Sequence, residues 1–157
     1  MPSVIFVCTA NVCRSPMAMG LFLARLGKER GNWRVESAGT WASDGQPAAE
    51  NTLRVVAEQG VDLREHRSRP INGALLEQFD LILAMEQNQK EALRIEFPGI
   101  SPRIFLLSEM IGSVYDIKDP MSGDFSDFQN TAEEIEDILE KGFDRIRELA
   151  VKFSSDR

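Results

Sequence analysis

Histidine and cysteine are nearly missing from this chain: 157 residues include one His, at position 66, and two Cys, at positions 8 and 13. The usual nitrogen and sulfur ligands are therefore too few and too scattered to form a metal-binding cluster, because His66 lies far in sequence from both cysteines. Neither a metal nor an organic cofactor is expected. Two cysteines within one short segment also make a poor staple, which excludes a disulfide scaffold and leaves thiol chemistry as their use. Net positive charge is lacking too. A formal charge of −7 removes the electrostatic footprint of a nucleic-acid or anionic-membrane binder, so a phosphorylated ligand must be held by a local site. No stretch approaches the roughly 18 apolar residues of a membrane span. The residues after Met1 show none of the basic and apolar regions of a secretory signal, and the chain is read as cytoplasmic.

What is present is the raw material of one domain, with 43% hydrophobic residues and no internal repeat or low-complexity tract. Ser3-Val4-Ile5-Phe6-Val7 reads as a strand, followed at once by a Thr/Ala/Asn stretch and then by Met17, Leu21, Phe22 and Leu26 at helical spacing. Ser15-Pro16 supplies a capping residue and a first-turn proline, placing a helix start just after Arg14. Residues 33–37 alternate as a second strand, and residues 47–59 read as a helix closed by Gly60. Residues 81–85 and 104–107 are continuous apolar runs of the kind buried on both faces of a parallel sheet. Helices are expected over residues 86–97 and 127–152, with a long irregular loop over 111–128. The pattern predicts a single α/β domain over residues 1–157: an open three-layer sandwich with a central, mainly parallel four-stranded sheet and helices on both faces. Ligands of such sheets sit beyond the carboxyl ends of the strands, where Cys8 falls.

Cys8-Thr9-Ala10-Asn11-Val12-Cys13-Arg14-Ser15 places a cysteine at a strand end, an arginine six positions on and a helix N-terminus behind both. A loop of that length can curl so that its backbone N–H groups face a dianion, while the helix adds unpaired donors and the positive end of its dipole. Arg14 offers a two-pronged contact to phosphate oxygens. The same donors favour the thiolate of Cys8, the form that attacks phosphorus. A cysteine and an arginine at this spacing occur by chance in many chains; the strand, loop and helix around them give the spacing its meaning. Departure of a phosphate ester's leaving oxygen needs a proton. Asp119-Pro120, in the irregular loop, supplies a candidate acid, with Asp116, Asp124 and Asp127 nearby.

Together these residues resemble the low-molecular-weight protein tyrosine phosphatases of bacterial type, with some likeness to the arginine-phosphatase branch of that family. The likeness is carried by residues 4–18, by Ser37-Ala38-Gly39-Thr40 and by Asp119-Pro120, and it runs along nearly the whole chain. The resemblance implies Cys8 as nucleophile, Arg14 as phosphate clamp and Asp119 as the acid that later activates water. Thr9, Ala10, Asn11, Val12, Cys13 and Ser15 would form the phosphate-binding loop. It further implies a strained Asn11 supported by Ser15, Ser37 and His66, and a Cys13 able to pair with Cys8 under oxidation. Ser15, besides being the natural helix cap, is then placed to hydrogen-bond to the Cys8 thiolate, and Pro120 by its fixed φ stiffens the backbone around Asp119. Expected partners are a phosphorylated protein substrate and inorganic phosphate or other oxyanions, with no nucleic acid and no membrane, and the resemblance implies that the protein itself is a monomer.

Several positions depart from the family pattern. Members acting on phosphotyrosine usually carry aromatic residues after Asp-Pro, where this chain has Met121-Ser122. Trp41 is then the candidate for the aromatic wall. Ala10 stands where the family signature has glycine. Relatives that hydrolyse phosphoarginine share one large apolar residue after Asp-Pro but carry Thr at the position of Val12. The reading is phosphotyrosine hydrolysis, with phosphoarginine as the alternative. A thiol-dependent arsenate reductase would need a cysteine pair downstream, and none follows Cys13. A phosphate-binding module without turnover would need neither nucleophile nor acid.

Overall fold

The computed structural model describes all 157 residues. Four strands, β1 (Ser3–Cys8), β2 (Arg34–Gly39), β3 (Leu81–Ala84) and β4 (Ile104–Leu106), form one sheet in the order β2-β1-β3-β4, and every pairing is parallel. Helices α1 (Arg14–Leu26), α2 (Glu50–Ala57), α3 (Gly73–Glu77), α4 (Gln87–Glu96), α5 (Phe125–Lys141) and α6 (Phe143–Ser155) cover it.

The continuous apolar runs are explained by the layering, since alternate side chains of a strand enter opposite cores. Val4, Phe6, Cys8, Leu81 and Leu83 join Met17, Leu21 and Phe22 of α1, Ile135 and Leu139 of α5 and Ile146 of α6. Ile5, Val7, Ile82, Ala84 and Ile104 join Leu75 and Leu76 of α3, Phe79, and Leu93 of α4. Three layers result, with the sheet in the middle. At the centre of the larger core Phe22 meets Phe6, Trp33 and Phe143 at ring separations of 5.8, 5.4 and 5.8 Å.

The helix expected over residues 47–59 is confined to Glu50–Ala57; it is followed by Gly60 at φ +77°, the left-handed turn that glycine accommodates. The single helix expected over residues 127–152 is two helices. A Cβ at Gly142 would sit 2.8 Å from Met110 Cβ and 2.9 Å from Ile138 O, so the chain bends at the one residue slim enough to pass the 3₁₀ turn Leu107–Ile111. Helix α5 also begins earlier than expected, at Phe125, because the Asp124 carboxylate accepts the Asp127 N–H as a cap. Helix α3, capped by Asn72 through the Leu75 N–H at 2.8 Å, has no counterpart in the sequence reading. Its five residues are too few for a periodicity to register. No helix is long and apolar enough to cross a membrane.

Candidate active site

Strand β1 delivers Cys8 to the carboxyl edge of the sheet, and Thr9 to Cys13 curl back before α1 begins at Arg14. Cys8 and Cys13 are buried and unpaired. None of the N–H groups of Ala10, Asn11, Val12 and Cys13 donates to another group of the protein. They form a run of free donors at the head of a helix, a concavity suited to an anion.

The loop's shape is imposed from outside. Asn11 has φ +60°, a conformation that costs a non-glycine residue of order 1 kcal/mol. Every polar atom of its side chain is used. Asn11 Nδ2 donates to Ser15 Oγ at 2.8 Å and to Ser37 Oγ at 3.0 Å, and Oδ1 accepts the Arg69 N–H at 3.0 Å. Its carbonyl lies 2.9 Å from His66 Nε2, which therefore carries the proton and donates. From the other side Gly39, at the end of β2, lies so close to the loop that a Cβ there would meet Thr9 O at 2.4 Å and Asn11 N at 3.1 Å. No residue but glycine fits that approach.

The sequence offered Ser15 two roles, cap of α1 or partner of the Cys8 sulfur. The structure corrects the first, because the cap position is Cys13, with no side-chain hydrogen bond, and it places Ser15 in the second. Ser15 Oγ lies 3.0 Å from Cys8 Sγ. Because the Ser15 oxygen already accepts from Asn11, its own proton can be donated to the sulfur, which is nearer than the other acceptor in reach, Ala38 O at 3.5 Å. The order Asn11 amide, Ser15 hydroxyl, Cys8 sulfur is a chain of donors in which each link polarises the next.

Arg14 is buried and its guanidinium is oriented by a single nitrogen. Nη1 donates to Glu86 Oε2 and to Ile117 O, each at 2.7 Å. Nη2 lies 3.7 Å from Asp119 Oδ2, and Nε, fully buried, has no partner. One edge of the fork is thus tied to the protein and the other is left for a ligand.

The long loop after the 3₁₀ turn brings in Asp119. Ile117, wholly buried, fastens it by donating its N–H to Met85 O at 3.0 Å. Two residues on, the half-exposed Asp119 carboxyl turns one oxygen toward Arg14 while the other accepts the Met121 N–H at 3.0 Å. Pro120 is buried. Met121 is half exposed, and its sulfur takes the Cys13 thiol at 3.0 Å. Burial first, then the nearby Asp119 and Cys8, push the Cys13 pKa up to about 12, so this thiol stays protonated at neutral pH and acts as a weak donor. Of the other acids, Asp116 accepts from Gln87 N at 2.8 Å and Asp124 caps α5.

Trp41 is 86% exposed although its N–H donates to Thr9 O at 2.9 Å. The bond is a backbone one: it ties the Trp41 main chain to the first residue of the loop, and the aromatic side chain is in solvent. Ala10 is also exposed and Val12 half buried. Two residues here escaped the sequence reading. Glu86 and Gln89 follow β3 at the same sheet edge, and their signal was a carboxylate directly after the apolar run 81–85.

His66 gives the site a pH dependence. Burial lowers its pKa below the ordinary histidine value; the bond to Asn11 opposes the shift, and Arg69 and Arg67 add to it. The unfolded chain therefore takes up a proton before the folded one does. The stability this contributes is complete above the unfolded pKa and is lost as pH falls toward the folded one. In urea titrations between pH 8 and 5, stability is expected to decline through this window and to decline less in His66→Gln. An unchanged slope in the variant would assign the decline to other groups.

The family profile described as low molecular weight phosphotyrosine protein phosphatase matches residues 3–152. A Bacillus subtilis (strain 168) protein named protein-arginine-phosphatase is 36% identical over 155 residues, covering 98% of each chain. A Ralstonia nicotianae protein named probable low molecular weight protein-tyrosine-phosphatase EpsP is 35% identical over 147 residues, covering 94% of this chain and 97% of its own. Among solved structures, the YwlE arginine phosphatase, in a cysteine-to-serine mutant with a phosphorylated active-site serine, superposes with a TM-score of 0.83 at 34% identity. It covers 99% of this chain and 97% of its own. A match along the full domain in sequence and in fold makes this chain a member of the low molecular weight protein phosphatase family.

Proposed function

We propose that the protein hydrolyses phosphotyrosine in protein substrates through a cysteinyl-phosphate on Cys8. The observation that carries the chemistry is Arg14: a buried guanidinium fixed by Nη1 alone, with Nε unpartnered, beside a nucleophile and a loop of free N–H groups. Those donors suit the three equatorial oxygens of a phosphoryl group in transfer. In the first step Cys8 Sγ attacks phosphorus, an S–P bond forms and the P–O bond to the side chain breaks. Asp119 gives its proton to the departing oxygen. In the second, Asp119 takes a proton from water as the water oxygen attacks phosphorus; the S–P bond breaks, releasing inorganic phosphate and the thiolate. The phosphorylated active-site serine of the YwlE mutant supports a covalent route in this family. The residues invoked require neither metal nor organic cofactor. Disulfide formation between Cys8 and Cys13, expected from the resemblance, would draw on the small ionised fraction of a thiol with a pKa of about 12.

The phosphotyrosine reading rests on Trp41. Its backbone is tied to Thr9 and its side chain is exposed, so an indole is available as a flat wall for a substrate ring, a contact of about 0.5–1.5 kcal/mol beyond the area it buries. Matched phosphotyrosine and phosphoarginine peptides, assayed for phosphate release with and without EDTA, test it. Phosphotyrosine is expected to be preferred, EDTA to have no effect, and Trp41→Ala to raise KM for the phosphotyrosine peptide about 3- to 10-fold, the equivalent of that contact. Preference for phosphoarginine would instead place specificity in Val12 and the Asp119-Pro120-Met121 turn.

A further inference from the structure

Gln89 is a buried side chain that the reaction does not use, yet each of its polar atoms is spent on the active site. Its relative exposure is 3%. Oε1 accepts the N–H groups of Met85 at 3.1 Å and Glu86 at 3.0 Å. Nε2 donates to Thr9 Oγ1 at 2.9 Å and to Glu86 Oε2 at 3.0 Å. Glu86 Oε2 in turn accepts from Arg14 Nη1 at 2.7 Å. One carboxylate oxygen therefore joins the phosphate-loop arginine to a glutamine that also grips Thr9, the first residue of that loop.

We infer that Glu86, aimed by Gln89, is a positioning residue that fixes which edge of the Arg14 guanidinium faces the phosphate. A guanidinium can rotate about its stem and present any of its N–H pairs. Saturating Nη1 with Glu86 and Ile117 O leaves the edge with the unpartnered Nε as the one turned to a ligand. The arrangement also separates two carboxylates around one cation. Glu86 holds Nη1 at hydrogen-bond distance while Asp119 stays 3.7 Å from Nη2, so the acid is not drawn into a tight ion pair with the arginine. Glu86 acts through Arg14 and touches no reacting atom. The inference rests on the proposal that Arg14 binds the phosphoryl group.

The test compares wild type, Glu86→Ala, Glu86→Gln and Gln89→Met. Four readouts are needed: kcat and KM, the inhibition constant of inorganic phosphate, protection of Cys8 by phosphate against alkylation with iodoacetamide, and thermal melting. Glu86→Ala frees the guanidinium to rotate. It is expected to weaken phosphate inhibition about 10-fold and to lower kcat/KM about 10²-fold, the scale of an ångström-sized misplacement. Glu86→Gln keeps an acceptor for Nη1 without the charge and should recover most of both losses. Gln89→Met preserves bulk without hydrogen bonds, should cost less than Glu86→Ala, and should combine with it less than additively because both act on one contact. Glu86→Ala that binds phosphate as wild type does overturns the inference, as does a Glu86→Gln no better than Glu86→Ala at equal melting temperature. If phosphate neither inhibits nor protects the wild type, the reading of Arg14 falls first and this inference with it. Wild-type protection with no change in any variant refutes the positioning role alone.

Discussion

Cys8→Ser is expected to lose turnover of a phosphotyrosine peptide by about four orders of magnitude or more, the scale seen when a covalent nucleophile is removed, while still binding the peptide. Loss and retention come from different atoms. In the proposed mechanism the thiolate forms the bond to phosphorus, and a serine hydroxyl is a weak nucleophile unless a base removes its proton. The groups around Cys8 offer no such base, because the nearest side chain is the Ser15 hydroxyl at 3.0 Å, whose oxygen already accepts from Asn11. Arg14, the loop N–H groups and Trp41 are untouched by the substitution, so the contacts made to the ground-state substrate remain. Steady-state rates together with calorimetric titration of a phosphopeptide separate the two. Equal turnover by variant and wild type would sink the covalent mechanism; loss of binding along with turnover would mean that the sulfur also shapes the loop.

The second large effect belongs to Asp119. Asp119→Asn keeps the size of the side chain and an acceptor for the Met121 N–H, but cannot deliver a proton. Turnover is expected to fall 10²- to 10⁴-fold, the usual worth of a positioned general acid. Inhibition by inorganic phosphate should change little, because the acid acts in the transition state more than in ground-state binding. The leaving group gives a sharper signature. In single-turnover experiments, release of a tyrosine-like phenol should slow sharply, whereas an acidic phenol, which departs without a proton, should be released at nearly the wild-type rate. Asp116 and Asp124 are poor substitutes, the first held by Gln87 N and the second by the α5 cap. If the variant retains full turnover, the assignment of the acid is wrong.

The sequence was most legible where a periodicity or a spacing had a single physical cause. Continuous apolar runs at 81–85 and 104–107 can be buried only between two layers, and both are parallel strands of the sheet, the first central and the second at its edge. The spacing of Cys8 and Arg14 across a strand, loop and helix likewise maps directly onto the structure. What was not legible depends on contacts between distant segments. The break at Gly142 arises from the approach of Met110. A local capping rule leaves Ser15 open between helix cap and partner of Cys8, and only the positions of Asn11 and Cys8 on its open side decide for the second. Glu86 and Gln89 look like ordinary first-turn helix residues until the fold sets them against Arg14 and Thr9. Trp41, by composition more at home in a core, stands in solvent on a backbone tied to Thr9.

The all-parallel order β2-β1-β3-β4 has a consequence for how the molecule comes into being. No strand pairs through a hairpin, so each ladder closes only after an intervening helical crossover has been made, the kind of topology associated with slow folding. The chemistry is more non-local still: the bond from Arg14 to Ile117 spans 103 positions. During synthesis a nascent chain would carry Cys8 and Arg14 long before the segment that bears Asp119 had been made, and the half-built protein would be catalytically silent. The same geometry operates in reverse. Detaching the segment around Ile117 from Met85 and Arg14 would remove the acid and one anchor of the arginine together while leaving the sheet paired, so activity should vanish ahead of global unfolding.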